Sequence, residues 1–254
     1  MQQEVIIVGG GMVGLSLALM LAKQNIAVKL LEAIKYPNYD DVNLAPYHSS
    51  FDARNSALSR RTVQIYQELG LWSALQEHAT PIFEVNITEQ GSFGKARLKA
   101  EQEKVESFGQ VIENAWLGRV LLTEVQKQPF IELIDGVQVT QLTQDADMAY
   151  IKASRGEEQL SLQAKLVIAA DGRDSFCRKA LGIGASEHDY DQVAIVTTVQ
   201  TSKPHNHVGF ERFSSLGPLA LLPLPGEYRR SVVWPVKKGT EGEWLGDEND
   251  QHFL

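Results

Sequence analysis

A short apolar run, Val5-Ile6-Ile7-Val8, leads without a break into Gly9-Gly10-Gly11-Met12-Val13-Gly14. Four apolar, β-branched residues with no polar alternation read as a strand buried on both faces. Leu15 to Lys23 are mostly good helix formers, and Asn25 is a helix stop. Ala27 to Leu31 then form a second strand that ends at Glu32. Strand, glycine turn, helix and parallel strand make a βαβ unit, which commits the chain to an α/β architecture with a parallel sheet.

Each part of that unit has a chemical reason. Gly9 permits a tight turn out of the strand, Gly11 lets the backbone approach a pyrophosphate, and Gly14 lets the helix pack closely on the sheet. The helix N-terminus offers free N–H groups and a partial positive charge to phosphate oxygens. Glu32 stands 18 residues after Gly14, where a carboxylate accepts hydrogen bonds from a ribose hydroxyl. An acid there favours the unphosphorylated ribose of FAD or NAD over the 2′-phosphate of NADP.

The remaining sequence sets bounds. At 254 residues the chain fits one or two domains, and 43% hydrophobic against 22% charged residues describes an ordinary globular protein. A net charge of −8 argues against a general electrostatic grip on nucleic acid. The lone cysteine, Cys177, excludes an intrachain disulfide and a multi-cysteine metal site. The first residues lack a basic n-region and a long apolar stretch, and no run reaches the roughly 18 apolar residues of a membrane-spanning helix. A cytoplasmic protein is expected.

Residues 33–50 read as a polar loop. Asn55 or Ser56 is expected to cap a helix that carries Leu58, Ile65, Tyr66 and Leu69 and stops at Gly70. Phe83, Val85 and Ile87 alternate before Gly91 and Gly94, which suggests a hairpin over 82–98. Leu117, Leu121 and Val125 share one face of a helix expected over 110–127, ended by Pro129. From 131 to 170 the pattern turns to short strands: Ile131–Ile134, Val137–Leu142, Ala149–Ala153, Gln159–Leu162 and Leu166–Ala170. With no helices between them they suggest a meander attached to the sheet.

Three stretches together resemble the FAD-dependent aromatic hydroxylases, the group built like p-hydroxybenzoate hydroxylase. They are the dinucleotide motif ending in Glu32, the segment Asp52-Ala53-Arg54 followed by Ala57-Leu58, and Ala170-Asp171-Gly172-Arg173-Asp174-Ser175 with Arg178 beyond, which is similar to the group's DG motif. Softer matches, among them Leu69-Gly70-Leu71-Trp72, Gly109 to Asn114, Phe210 to Phe213, Gly217 to Leu224 and Ser231 to Trp234, resemble the ubiquinone-biosynthesis branch and its 2-polyprenyl-6-methoxyphenol hydroxylases. One family segment has no counterpart. A Gly-Asp followed by an alanine-rich His stretch is missing, and Gly246-Asp247 runs into Glu248-Asn249-Asp250 instead. The chain is therefore expected to be the N-terminal portion of such a hydroxylase, inactive by itself.

The resemblance implies a Rossmann-like FAD-binding domain with a β-meander, interleaved with a smaller β-sheet-rich substrate domain. The expected division is 1–75 with 100–182 for FAD, and 76–99 with 183–254 for substrate. It implies NAD(P)H as reductant, O2 as co-substrate, and oxygen transfer to a prenylated phenol through a C4a-hydroperoxyflavin, the cofactor carrying the hard chemistry. Gly9, Gly11, Gly14 and Glu32 would hold the ADP half. Arg54 is a phosphate or flavin-edge contact, or else an ion pair with Asp52. Many relatives carry an arginine where Asn114 stands; in this branch its neighbours Gln110 and Glu113 are the expected contacts. Asp171 and Gly172 would approach flavin or nicotinamide. No catalytic side chain is assigned, and no metal is expected, His205-x-His207 having no third ligand. Leu219, Leu221 and Leu224 read as core or as a prenyl pocket, Trp72 and Trp234 as packing. A polyprenyl substrate further implies peripheral membrane contact at the inner face, or handover within a ubiquinone-biosynthesis complex. Two other classes remain open: an NAD-dependent dehydrogenase, which would not need the DG motif, and a truncated non-catalytic assembly module.

Overall fold

The computed structural model of the protein describes residues 5–36 and 51–244. In chain order, β1 (Val5–Val8), α1 (Met12–Lys23) and β2 (Val28–Leu31) come first. Next are β3 (Asn55–Ser59), α2 (Arg60–Glu68), α3 (Trp72–Leu75), a 3-10 turn, β4 (Ala79–Pro81), β5 (Glu84–Glu89), β6 (Lys95–Lys99) and β7 (Gly109–Glu113). Helix α4 (Asn114–Lys127) precedes β8 (Ile131–Ile134), β9 (Gln138–Gln144), β10 (Ala149–Arg155), β11 (Glu158–Ala164) and β12 (Leu166–Ala169). After α5 (Phe176–Ala180) follow β13 (Gln192–Gln200), β14 (Val208–Ser214), β15 (Gly217–Pro223), β16 (Arg229–Lys237) and the short α6 (Glu241–Trp244). Most of the expected 33–50 loop, and Gly246-Asp247, lie outside the described residues.

The chain forms two compact units: 1–53, 66–75 and 114–186 in the first, and 54–65, 76–113 and 187–254 in the second. Residues 54–65 and 100–113 thus pack with the second unit, not with the first as the expected division has it. The first unit is Rossmann-like. Its parallel sheet has the order β12-β1-β2-β8, and β1 is central, in register with β12 (Val5 opposite Leu166) and β2 (Val5 opposite Val28). The all-apolar β1 sequence is explained by cover on both faces. Ile6 and Val8 pack with Val139, Leu142 and Ile151 of the antiparallel meander β9-β10-β11. On α1, Gly14, Leu15, Ala18, Leu19 and Ala22 form a buried stripe, and α1 packs along α4. Gly118 of α4 meets the buried Phe51 ring so closely that a Cβ there would overlap it.

Of the five strands expected over 131–170, β8 and β12 join the parallel sheet and the middle three form the meander. Asn25 stops α1 with φ 60°, its N–H donating to the Ala22 carbonyl.

The second unit holds a six-stranded sheet, order β13-β16-β15-β14-β5-β6, and a three-stranded sheet, order β3-β7-β4. Its core includes Ile82, Val111 and Leu224, all buried, so Leu224 is a packing residue. The hairpin expected over 82–98 is β5–β6. Two local expectations are corrected. Residues 55–59 are strand, not the start of a helix, because they pair antiparallel with β7; the helix begins later, with the Ser59 hydroxyl accepting the Thr62 N–H at 3.1 Å. Residues 110–113 are likewise strand, and the helix begins at Asn114. Gly109 allows that pairing: its φ is 156°, and a Cβ would strike the Leu58 carbonyl.

Candidate cofactor cleft

Because β1, β2 and β12 run parallel, their carboxyl ends meet at one edge of the first unit, where ligands of open α/β sheets bind. A cleft of about 390 Å3 opens there, lined by Gly9, Gly11, Glu32, Val139, Asp171 and Gly172 among others. Sequence candidates from three distant segments, Gly9 and Gly11 of the glycine loop, Glu32, and Asp171 with Gly172, therefore share one wall system.

The loop has no room for side chains. Gly9 adopts φ 106° and donates its N–H to the Leu31 carbonyl at 2.8 Å, while a Cβ would overlap the Ala170 carbonyl. At Gly14 a Cβ would overlap the Gly9 carbonyl, with Ile7 Cγ2 farther off at 3.6 Å. Gly14 thus serves the approach of helix to loop before that of helix to sheet. Gly11 is the N-cap of α1, with extended backbone and no side-chain cap. The first-turn amides of α1 have no intrahelical partner and are free to face an anion.

Glu32 is 7% exposed, and its carboxylate accepts the Gly10 N–H at 2.5 Å and the Ile34 N–H at 2.8 Å. Its first duty is to hold the glycine loop against the end of β2. The sequence reading missed two residues here. Gly10 is hemmed in as well, since a Cβ would fall on the Tyr36 hydroxyl. Tyr36, buried in a stretch read as polar loop, donates that hydroxyl to the Gly10 carbonyl at 2.5 Å. Nothing in the local pattern around Tyr36 signals this contact.

The DG loop is built by its own side chains. Asp171 accepts the Ser175 hydroxyl at 2.6 Å and the Cys177 N–H at 3.0 Å. Ser175 in turn caps α5 by accepting the Arg178 N–H at 3.0 Å. Gly172 has φ 81° with open space around it, so glycine is required there for conformation and not for room. Partial burial opposes ionisation of Asp171, but the hydrogen bonds from Cys177 and Ser175 outweigh it and hold the carboxyl below its ordinary value. Burial, then the adjacent Asp171 charge, pushes the Cys177 thiol up to about 12. The Asp171 carboxylate is thus engaged in shaping the loop, and Ala170, Asp171 and Gly172 line the cleft.

Arg54 and Gln110 belong to the second unit, Arg54 just before β3 and exposed, Gln110 half-buried on β7. Among the described residues no cluster of three metal-ligating side chains occurs. His205 and His207 are occupied by backbone: His205 Nδ1 accepts the His207 N–H at 3.0 Å, which leaves its Nε2–H to donate to the Leu224 carbonyl at 3.1 Å. His207 Nδ1 lies 3.1 Å from the Pro81 carbonyl.

Comparison with known proteins places the chain in a family. Residues 2–253 match the family described as FAD binding domain. The chain is 33% identical over 231 residues to the ubiquinone hydroxylase UbiL of Rhodospirillum rubrum, covering 91% of this chain and 51% of that protein. It is 31% identical over 233 residues to the 3-demethoxyubiquinol 3-hydroxylase of Escherichia coli, covering 91% and 56%. Among solved structures, p-nitrophenol 4-monooxygenase PnpA from Pseudomonas putida superimposes with a TM-score of 0.76 at 20% identity, over 96% of this chain and 60% of that one. The chain spans about half the length of the curated relatives it matches.

Proposed function

The chain belongs to the FAD binding domain family, and from that premise we propose that it is the cofactor-holding part of an FAD-dependent monooxygenase. The reaction is hydroxylation of a prenylated phenol in ubiquinone biosynthesis, with NAD(P)H as reductant and O2 as co-substrate. The observation that carries the reading is the glycine loop: close approaches at Gly9, Gly10 and Gly14 that a Cβ would block, with Gly9 and Gly11 lining a cleft that Glu32 borders. Such a cradle fits a diphosphate with its ribose.

In this reading FAD, when bound, supplies the redox and oxygen-transfer chemistry. The residues of this chain bind and orient it. Gly11 and the first turn of α1 donate amides to the pyrophosphate, and Glu32 accepts from the adenosine ribose while keeping its hold on the loop. The backbone at Asp171 and Gly172 borders the flavin side of the cleft. Arg54 and Gln110 are assigned as further cofactor contacts. The six-stranded sheet supplies the phenol site. A substrate with a polyprenyl tail resides in a bilayer, so peripheral contact at the inner membrane face, or handover from partner proteins, belongs to the same proposal. Among the described residues no helix is long and apolar enough to cross a membrane.

The test has two parts. Glu32→Ala is expected to weaken FAD binding by about 1–3 kcal/mol, the scale for losing hydrogen bonds to a charged group, and Gly11→Val to abolish it; unchanged titrations refute the assignments. A protein extended through the Gly-Asp and alanine-rich His segment of these hydroxylases is expected to consume O2 with NAD(P)H when given a prenylated phenol. A colourless, inactive product refutes the function.

A further inference from the structure

Tyr36 is buried, 6% exposed, and reaches back across 26 residues to the glycine loop. Its backbone is fixed first: the Tyr36 N–H donates to Asp135 Oδ2 at 2.8 Å, beside the end of β8. Its hydroxyl then donates to the Gly10 carbonyl at 2.5 Å. On the other side of the same residue, the Gly10 N–H is taken by Glu32. Both polar groups of Gly10 are therefore committed, and they belong to two different peptide planes.

A trans peptide is planar, so its C=O and N–H point in opposite directions. The Gly10 carbonyl shares a plane with the Gly11 N–H. Holding the carbonyl down onto Tyr36 turns the Gly11 N–H the opposite way, away from the phenol, and Gly11 itself lines the cleft. The lock is needed because Gly10 and Gly11 both lack a Cβ, and a peptide between two glycines meets little steric resistance to turning over. A turned-over plane would present a carbonyl oxygen where an anion is to sit.

We infer that Tyr36 is a positioning residue: its phenol orients the Gly10–Gly11 peptide so that the Gly11 amide donates to the diphosphate of the bound cofactor. The inference rests on the FAD reading of this cleft and extends it to a residue that touches no cofactor atom itself. A merely structural tyrosine would affect folding without changing which part of a ligand is recognised, whereas an orienting one acts on the diphosphate alone.

The experiment uses the chain labelled with 15N-glycine and titrated with ADP, with adenosine as the probe lacking a diphosphate. In the wild type, ADP is expected to shift the Gly11 amide resonance and adenosine to leave it in place. Tyr36→Phe keeps the ring and removes the donor. It is expected to weaken ADP about three- to tenfold, the range for one hydrogen bond, to lose the Gly11 response, and to keep the wild-type response to adenosine. Gly10→Ala, whose Cβ displaces the Tyr36 hydroxyl, is expected to do the same from the other side. Unchanged ADP affinity and an unchanged Gly11 shift in Tyr36→Phe overturn the inference while leaving the FAD reading standing. A wild-type chain that responds to neither ADP nor FAD overturns the FAD reading, and the inference with it.

Discussion

Replacing Asp171 by alanine tests how the DG loop is held. The carboxylate accepts two hydrogen bonds, from the Ser175 hydroxyl and the Cys177 N–H, and both partners sit at the start of α5. Hydrogen bonds to a charged group contribute about 1.5–3 kcal/mol each when fully desolvated. Asp171 is only half-buried, so water competes and the low end applies. Asp171→Ala should therefore cost about 2–3 kcal/mol at pH 7. Asp171→Asn keeps one carbonyl acceptor and should cost about half as much.

The pH dependence gives an independent sign. The folded carboxyl is held below its ordinary value, so on acidification the unfolded chain takes up its proton first. The stabilisation is complete above the unfolded value, about 4, and is lost as the pH falls through the folded one. Urea unfolding followed by tryptophan fluorescence should show the full gap between wild type and Asp171→Ala at pH 7 and a smaller one at pH 3. A gap below about 0.5 kcal/mol at pH 7, the scatter of ordinary surface substitutions, or a gap equal at both pH values, refutes this account of the loop.

Three further outcomes are expected. Cys177, buried with its thiol pushed up to about 12, should resist alkylation at pH 8 and react once urea unfolds the chain; rapid labelling of the folded protein contradicts the geometry. Burial, with the nearby His207 and Arg230 charges, lowers the His205 pKa, so below about pH 6.5 the unfolded chain binds the proton preferentially and stability falls; His205→Asn should flatten that slope between pH 7 and 5, and an unaltered slope removes His205 as its source. Gly14→Ala forces a methyl onto the Gly9 carbonyl and should cost about 1–3 kcal/mol, as overpacking does, with loss of ADP binding in the same sample; wild-type melting and binding refute the packing argument.

What was legible in the sequence depended on how far the controlling contact lies along the chain. The βαβ unit was readable because β1, the glycines and α1 are contiguous, and each has a local reason for its residue type. The strand runs of 131–170 were readable as strands, yet their division between parallel sheet and meander was not. That choice is made by pairing partners such as Leu166 with Val5. Residues 55–59 and 109–113 pair with one another across some fifty positions, and a local helix reading of each had nothing to oppose it. In the site, Glu32 and Asp171 were found as carboxylates of interest, but their hydrogen bonds to Gly10, Ile34, Ser175 and Cys177 were not. A motif tells where an acid stands and is silent about which backbone amides its oxygens meet. Tyr36 is the extreme case: it precedes a proline in a polar stretch, and its partners are a carbonyl 26 residues earlier and Asp135, 99 residues later.

Whether the cleft at the carboxyl ends of β1, β2 and β12 holds the ADP half of FAD is decided by a backbone amide shift map of the uniformly 15N-labelled chain, titrated with FAD and then challenged with NAD. Shifts are expected to concentrate at Gly9 to Gly14, Glu32 to Ile34 and Ala170 to Gly172, and not to be reversed by an equal concentration of NAD. Shifts confined to other segments, no shifts at all, or ready displacement of FAD by NAD would contradict that placement.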